Sequence, residues 1–397
     1  MKLRIYHILL LLLFSNYLFS QEYIAGETYF GDHDYIEYKA GNLPIIISAP
    51  HGGSILPDNI PDRNCSGCVY VQDAYTENLI RQIYNAIYEE IGCYPHIIIN
   101  RLHRKKLDAN RDIEEAADGN PIAEKAWYDY HNFIQIARDT LLKQYGKGIY
   151  IDLHGHGHSI QRLELGYLLN KSNLQLPDAT LNGNNYIQKA SIKNLVFNNI
   201  SNSGFSDLIR GDKSLGEMFE QEGFPAVPSL TQPYPKDNEK YFTGGYNTKR
   251  YGSNNGGTID AVQIECNRKG VRDSYNNREA FSKSIAIILK EYLETHYFGE
   301  EFISNNCSLM LTDDIVEPLA IKIFPVPVVN RLNIVLNRKV YSPYNITIYN
   351  DLGKPVFNGV YSHYRFTIPV DFLPKGIFLL NIRSSKTYRS IKFIKNF

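Results

Sequence analysis

Three apolar runs in this chain end in side chains that bind metals or transfer protons. The runs are IIISAPHGG (45–53), IYIDLHGHGH (149–158) and AVQIECNR (261–268). They deliver His51, His154 and Glu265 at their ends. Imidazole is a common zinc ligand, and a carboxylate beside a metal can take a proton from water. The pattern predicts a metal-assisted hydrolase.

The histidines of segment 149–158 do not all fit around one ion. Alternate residues of an extended strand lie roughly 6.6–7 Å apart, which separates His154 from His158 by about 13 Å. We therefore take His154, directly after the apolar run, as a ligand. His156 and His158 are expected to line the substrate pocket. His51 is the second candidate ligand, although a histidine before two glycines also suits an ordinary turn.

A hydrolytic zinc site needs a third protein ligand and an open position for water. Asp73 and Glu77 are separated by four residues on one face of a predicted helix. Position alone does not distinguish them, and a solvated helix face would explain both.

Four further polar residues are candidates for the reaction or for substrate binding. Glu265 could act as general base, or form a salt bridge with Arg268 at a strand end. Asn110 and Arg111 lie in a compact polar loop, where arginine suits a carboxylate or an oxyanion. An ion pair of Arg111 with a nearby aspartate explains that residue equally well. Arg162 could hold a substrate carboxylate or pair with Glu164.

Strand-like and helix-like segments alternate from residue 40 to about 298. The predicted strands are Pro44–Ala49, His96–Asn100, Gly148–His154, Glu164–Asn170 and Ala261–Cys266. The predicted helices are Asp73–Ile91, Pro121–Tyr145, Ala190–Ile200, Leu215–Glu222 and Ser274–His296. This order predicts an α/β fold with a mostly parallel or mixed sheet flanked by helices. Two long polar loops are expected at 171–185 and 231–257.

The pattern changes after about residue 300, where the helical period disappears. The short predicted strands are Ala320–Phe324, Leu332–Leu336, Asn345–Tyr349, Val356–Tyr361, Arg365–Val370, Phe378–Ile382 and Ser390–Ile394. Turn residues separate them. These features predict a small all-β sandwich domain.

Composition and the N-terminus indicate an exported protein. The 397 residues include 42 basic and 42 acidic side chains, which gives no indication of a nucleic-acid partner. Lys2 and Arg4 precede a short apolar core, typical of a signal peptide cleaved near Ser20. No other segment reads as transmembrane, so the mature protein is expected to be soluble. The basic cluster 101–106 is interpreted as a solvated or substrate-facing loop.

The five cysteines limit the disulfides that an exported chain can form. An odd number leaves one thiol unpaired. Cys65 and Cys68 could form half of a zinc knuckle, but no second such pair is present. A local disulfide or free thiols are therefore favoured. Cys266 is expected to be a core thiol.

The ordered set of motifs resembles the N-formylglutamate amidohydrolase family. The motifs are SAPHGG (48–53), DAYTENL (73–79), NRLHRKKLDANRD (100–112), DLHGHGH (152–158), RLELGYLL (162–169), GGYNTKRYG (244–252) and AVQIECNR (261–268). The resemblance implies a phosphorylase/hydrolase-like fold similar to zinc carboxypeptidases. It also implies one zinc ion per chain held by His51, Glu77 and His154, with Glu265 as general base. Asn110 and Arg111 would act at the substrate.

The C-terminal segment resembles the type A sorting domain of the type IX secretion system. The likeness spans nearly all of 320–397, and the usual opening Tyr-Pro-Asn-Pro is replaced by Phe324-Pro325-Val326-Pro327. It implies transport across an outer membrane, with the secretion machinery as a partner. The expected organisation is a signal peptide (1–20), a catalytic domain (21–305), a linker (306–319) and the sorting domain (320–397).

These observations favour a secreted zinc-dependent hydrolase that cleaves an amide bond of a carboxylate-bearing N-acyl amino acid or peptide. The export signals make N-formylglutamate itself only one candidate substrate. A non-catalytic secreted binding protein on the same fold is the alternative. A metallo-β-lactamase is disfavoured, because its His-x-His-x-Asp-His pattern would require an aspartate and a histidine where His158 and Ser159 stand.

Overall fold

The computed structural model describes residues 23–307, 321–336, 344–351, 353–361, 365–383 and 388–396. The predicted signal peptide (1–20) lies outside the described residues, as does most of the predicted linker (306–319). Among the described residues, no helix is both long and apolar enough to cross a bilayer.

Residues 23–307 contain one sheet and the helices that cover it. The strands are β1 (Thr28–Phe30), β2 (Ile36–Lys39), β3 (Ile45–Ala49), β4 (His96–Asn100), β5 (Gly148–Gly155), β6 (Leu163–Gly166), β7 (Ala226–Val227) and β8 (Ile259–Cys266). The helices are α1 (Thr76–Ile91), α2 (Ile113–Ala117), α3 (Pro121–Tyr145), α4 (Lys171–Leu174), α5 (Asp178–Leu181), α6 (Asn184–Ile187), α7 (Lys193–Asn198), α8 (Phe205–Arg210), α9 (Leu215–Gln221), α10 (Tyr246–Tyr251), α11 (Tyr275–Leu293) and α12 (Phe302–Cys307).

The sheet is mixed, with the strand order β1-β2-β4-β3-β5-β8-β6-β7. Its centre, β4-β3-β5-β8, is parallel, whereas β2 and β6 run antiparallel to their inner neighbours. Every residue of β3, β4 and β8 is buried, because helices pack on both faces. Strands covered on both sides are apolar throughout rather than alternating, which is why their sequences are rich in isoleucine. The predicted α/β fold is confirmed.

The two faces of the sheet carry separate apolar cores. Helices α1 and α11 contribute to one, through side chains such as Ile83 and Phe281. Helix α3 contributes to the other, through Trp127 and Ile134. Helix α3 has the predicted bounds, because Asn120 caps its first turn and Gly146 adopts the left-handed conformation after its last.

Helix α1 begins three residues later than predicted, at Thr76. Tyr75 has a φ of 69°, which is incompatible with a continuing right-handed helix. Asp73 therefore lies in the turn before the helix, and does not share a helix face with Glu77.

The two predicted polar loops contain short helices. Segment 171–185 forms α4, α5 and the start of α6, and segment 231–257 contains α10. Each of these helices has only four to six residues, and asparagine-rich segments of that length show no apolar period. Sequence periodicity could not detect them.

The described C-terminal residues form two antiparallel sheets. The strands are β9 (Ile321–Phe324), β10 (Arg331–Leu336), β11 (Tyr344–Tyr349), β12 (Pro355–Tyr361), β13 (Arg365–Pro369), β14 (Gly376–Arg383) and β15 (Tyr388–Lys395). Their orders are β13-β10-β9 and β12-β11-β14-β15. Alternate residues such as Ile334, Ile346 and Leu380 are buried in one shared core. The predicted β-sandwich is confirmed.

Two cysteine pairs are disulfide-bonded. Cys65 and Cys68 form a local bond, whereas Cys93, between α1 and β4, is bonded to Cys307, 214 residues later. Cys266 is buried and unpaired, as expected for a core thiol.

Candidate active site

The candidate site lies where the parallel strands end. His51 follows β3 by two residues, and His154 and Glu265 are register partners near the ends of β5 and β8. The carboxyl ends of parallel neighbours meet at one edge of a sheet, which is where ligands bind in folds of this kind. The convergence follows directly from the three apolar runs.

Three buried side chains point ligand atoms at one another at this edge. Nδ1 of His51 lies 3.4 Å from Oδ2 of Asp73, and Nδ1 of His154 lies 3.1 Å from the same oxygen. One ligand atom from each of these residues falls within 4.8 Å of the others. Two imidazoles and one carboxylate form a donor set typical of hydrolytic zinc sites.

A second carboxylate lies beside Nε2 of each imidazole, the ring nitrogen that does not face Asp73. Nε2 of His51 lies 2.6 Å from Oδ1 of Asp108, and Nε2 of His154 lies 3.0 Å from Oδ2 of Asp152. Carboxylates in this position fix the ring orientation of metal-binding histidines and increase their basicity. Both rings consequently direct Nδ1 inward. Nδ1 of His51 is buried and has no hydrogen-bond partner among the described residues, which suits a bound cation.

Asp73, rather than Glu77, lies beside the two histidines. The Asp73 amide donates to the His51 carbonyl at 3.0 Å, and the Gly155 amide donates to Asp73 Oδ2 at 3.1 Å. Glu77 instead forms an ion pair with Arg81 at 2.9 Å. The same guanidinium holds Glu37 through two hydrogen bonds, of 2.6 and 2.7 Å. Of the two residues that the sequence left open, the structure brings Asp73 to the site.

The carboxylates and imidazoles of this pocket shift one another's pKa values. Burial would raise the pKa of Asp73, but His51 and His154 hold it well below its usual range. Burial would also raise the pKa of Asp108, but the neighbouring His51 holds it well below its usual range. Burial would lower the pKa of His154, but Asp152 and Asp73 raise it well above its usual range. Asp73 and Asp108 therefore stay ionised, which suits the binding of a divalent cation beside them.

Glu265 is buried beside the donor set. Burial, reinforced by the charges of Asp73 and Glu164, raises its pKa to about 8, although His154 opposes the shift. Gln263 Nε2 donates a 2.9 Å hydrogen bond to Glu265 Oε1. A carboxyl group that titrates near neutrality can accept a proton and return it. Arg268, the alternative salt-bridge partner, is exposed to solvent.

Asn110 reaches the site, whereas Arg111 is directed to another partner. Asn110 Nδ2 lies 3.2 Å from His154 Nε2, and its Oδ1 accepts from the Asn247 amide at 2.8 Å. Arg111 Nε donates to Glu115 at 2.9 Å on a partly exposed surface. The sequence left open an ion pair of Arg111 with a nearby aspartate. The structure contains an ion pair of Arg111, but its partner is Glu115.

Arg162 and His156 are buried and already have partners. Arg162 contacts Glu239 at 2.8 Å and Gln232 at 3.1 Å, rather than Glu164. His156 Nε2 lies 2.8 Å from the Arg162 carbonyl, and its Nδ1 accepts from the His158 amide at 3.0 Å. Both ring nitrogens of His156 are thus used inside the protein.

Several site residues escaped the sequence reasoning. Arg104, from the basic cluster interpreted as a solvated or substrate-facing loop, is buried. Its Nε donates to Asp108 at 2.8 Å, and its Nη1 lies 3.8 Å from Asp73. Asp152 could have been found, because it lies two residues before His154 and therefore on the same face of β5. Asp108 lies in a loop, and no periodicity identifies it.

Arg272 joins the loops that carry the site. Its guanidinium donates to the carbonyls of Ala74, Cys266 and His156. It packs so closely against Gly155 that a Cβ atom there would lie 2.3 Å from the guanidinium carbon. Glycine is therefore required directly after His154.

Comparisons with known proteins identify one part of the chain by sequence. The search of curated proteins found no match. Among solved structures, an N-formylglutamate amidohydrolase from Ralstonia eutropha JMP134 matches with 11% identity and a TM-score of 0.41. The match covers 66% of this chain and 97% of that chain. This is the family that the sequence motifs resemble, but a likeness at this level does not establish an activity.

A second solved structure is PorZ, a surface component of the type IX secretion system of Porphyromonas gingivalis. It matches with 11% identity and a TM-score of 0.17, over 20% of this chain and 12% of that chain. The family model described as "Secretion system C-terminal sorting domain" matches residues 322–396. The predicted sorting domain is thereby confirmed, and the chain is exported by the type IX route to the cell surface or the extracellular space.

Proposed function

We propose that this protein is a secreted zinc-dependent hydrolase that cleaves an amide bond. The observation that carries the proposal is the inward-facing set of His51, Asp73 and His154, with the buried Glu265 as the register partner of His154. A metal donor set and a proton-transferring carboxyl group are the two parts that hydrolysis of an amide requires.

His51, Asp73 and His154 would hold one zinc ion per chain. A zinc ion held there would supply Lewis-acid chemistry, which polarises the amide carbonyl and lowers the pKa of water so that a hydroxide nucleophile is available near neutral pH. The surrounding side chains favour this role, since Asp108 and Asp152 fix the two rings from behind. Asp73 takes the place of Glu77 in this proposal, because Glu77 is engaged by Arg81.

Glu265 would take a proton from the attacking water and transfer it to the leaving nitrogen. Burial raises the pKa of its carboxyl group and a bound cation would lower it, so the group can accept a proton and release it near neutral pH. Gln263 fixes one of its oxygens and leaves the other available. Burial excludes bulk water from the carboxyl group, which strengthens its interaction with charges that develop in the transition state.

The substrate would be a carboxylate-bearing N-acyl amino acid or a peptide. Asn110 would contact it next to His154. Arg111 would anchor a carboxylate or the oxyanion after exchanging Glu115 for the substrate. Breaking a partly exposed ion pair of this type costs less than about 1 kcal/mol, so the exchange is energetically accessible.

The test is elemental analysis and turnover on the purified full chain. We expect one zinc per chain and hydrolysis of at least one member of a panel of N-acyl amino acids and dipeptides. Glu265→Gln should keep the zinc and abolish turnover. Glu239→Gln is the matched control, because it changes a carboxylate that contacts Arg162 rather than the donor set.

Two outcomes would overturn the proposal. A chain that takes up no zinc would favour a non-catalytic secreted binding protein on the same fold. Undiminished turnover in the Glu265→Gln variant would remove this residue from the chemistry.

A further inference from the structure

A row of three polar residues crosses the sheet at the candidate site. Glu265 pairs in register with His154 on one side and with Glu164 on the other. Side chains that are direct partners in a ladder lie on the same face, and neighbouring strands are about 4.8 Å apart. Glu164 therefore flanks Glu265 on the side opposite to His154.

Glu164 holds the ring of His158. His158 Nδ1 lies 2.8 Å from Glu164 Oε1, while the Phe242 amide donates to Glu164 Oε2 at 2.8 Å. The His158 ring also stacks on Phe242, with centroids 4.8 Å apart and planes within 7°. A carboxylate and an aromatic ring thus fix the imidazole from two sides.

This cluster is better suited to binding an anion than a second metal ion. The ligand atoms of His156, His158 and Glu164 lie close enough to hold an ion. However, both nitrogens of His156 have partners within the protein, and Nδ1 of His158 is occupied by Glu164. Nε2 of His158 is the one ring nitrogen of the cluster that the described residues leave free.

The orientation of His158 follows from its contacts. With Nδ1 bound to Glu164, Nε2 lies on the opposite side of the ring. The side chain is 15% exposed, so a ligand can reach it. A carboxylate at Nε2 would be bound by the imidazolium form of the ring, in which both nitrogens donate, one to Glu164 and one to the ligand.

Each of the two arginines expected to bind a substrate carboxylate would first have to exchange a partner. Arg162 contacts Glu239 and Gln232, and Arg111 contacts Glu115. Arg162 is buried, so displacing Glu239 would leave a carboxylate without its partner. His158 needs no such exchange.

We propose that Nε2 of His158 binds a carboxylate group of the substrate, on the side of Glu265 opposite to the donor set. The inference rests on the proposed hydrolase function and deepens it, since it names a residue that binds the carboxylate of the substrate. Phe242 would support the apolar stem that carries this group.

The test uses glutarate as the anionic probe and glutaramide as its neutral counterpart. Binding of each is measured by calorimetry to the zinc-loaded full chain. His158→Asn places its amide near Glu164 and lacks the Nε2 donor, whereas His158→Gln extends an N–H to the Nε2 position. His158→Phe, a second variant without the donor, keeps the stacking on Phe242.

We expect His158→Asn and His158→Phe to weaken glutarate binding about tenfold or more, as for loss of a hydrogen bond to a charged group. Glutaramide binding should not change, and His158→Gln should retain part of the affinity. Equal dissociation constants for glutarate in the wild-type and Asn variants would overturn the inference, as would no glutarate binding by the wild type.

The failure of this inference is distinguishable from failure of the proposed function. Zinc-dependent hydrolysis with an unchanged KM in the His158 variants would remove His158 and leave the hydrolase in place. His158-dependent glutarate binding by a chain without zinc or turnover would overturn the hydrolase and retain the anion site.

Discussion

Oδ2 of Asp73 lies 3.1 Å from Nδ1 of His154, and it accepts a hydrogen bond from the amide of the residue that follows this histidine. One carboxylate oxygen is therefore fixed to the loop of the second histidine. Glu77, in the first turn of helix α1, contacts Arg81 instead. This difference is why we propose Asp73 rather than Glu77 as the third metal ligand.

Asp73→Asn should lower zinc affinity at least about 100-fold, which exceeds the usual effect of changing an outer partner of a ligand. Glu77→Gln should leave the affinity unchanged, because it alters only a partly exposed ion pair. Zinc dissociation constants from competition with a chromogenic chelator would decide the question. The reverse order of effects would return Glu77 to the donor set.

Gly155→Ala should disturb the site through Arg272. The added Cβ would lie 2.3 Å from a buried guanidinium carbon that has no room to move, since Arg272 is bonded to three carbonyls. We expect a loss of about 1–3 kcal/mol in the free energy of unfolding. Gly157→Ala is the matched control, because a Cβ there meets nothing within 4 Å. Equal stabilities of the two variants in urea denaturation would contradict this account.

The sequence is sufficient to predict the architecture wherever burial determines residue type. Strands β3, β5 and β8 are apolar along their length because helices cover both faces, so their ends can be located from the sequence. The ends of parallel strands must then meet, which brings His51, His154 and Glu265 to one edge of the sheet. The seven short strands of the C-terminal domain are recognisable by their alternation and turns.

Partners of polar side chains are harder to predict, because they depend on loop geometry. The apolar period predicts that the first helix begins at Asp73. Tyr75 has a positive φ, however, so the helix begins only after this residue and leaves Asp73 outside it. His156 is expected in the substrate pocket, yet it hydrogen-bonds to the backbone. Arg104 belongs to a segment interpreted as a solvated or substrate-facing loop, but its side chain is buried and forms an ion pair with Asp108. None of these contacts has a periodic signal in the sequence.

His96 should make the fold sensitive to acid. Burial lowers its pKa to about 3, and its Nδ1 is engaged by the Gly41 amide and the Tyr38 hydroxyl, as expected for a neutral ring. A histidine with a lowered pKa contributes stability that is complete above about 6.5, the reference value. That stability is lost as the pH falls toward 3, at up to about 1.4 kcal/mol per pH unit.

His96→Asn retains an acceptor near the Nδ1 position and removes the titration. The free energy of unfolding of this variant should therefore fall less than that of the wild type between pH 7.5 and pH 5. His33→Asn, at an exposed histidine, serves as the control and should follow the wild-type curve. Parallel curves for wild type and His96→Asn would show that His96 is not responsible for the acid sensitivity.

The Cys93–Cys307 disulfide should stabilise the α/β unit of residues 23–307 far more than the Cys65–Cys68 bond. It closes a loop with a sequence separation of 214, whereas the second bond spans a separation of 3. The entropy lost by the unfolded chain grows with loop length, and removing a long-range disulfide typically costs about 2–5 kcal/mol. Replacing both cysteines of the long-range pair with serine should therefore lower the Tm by several degrees. The same change at the short pair should have a smaller effect, because the residues it joins are already neighbours in the unfolded chain. Calorimetry on both double variants under oxidising conditions would test this, and an equal loss from the short pair would show that loop closure is not the source of the stability.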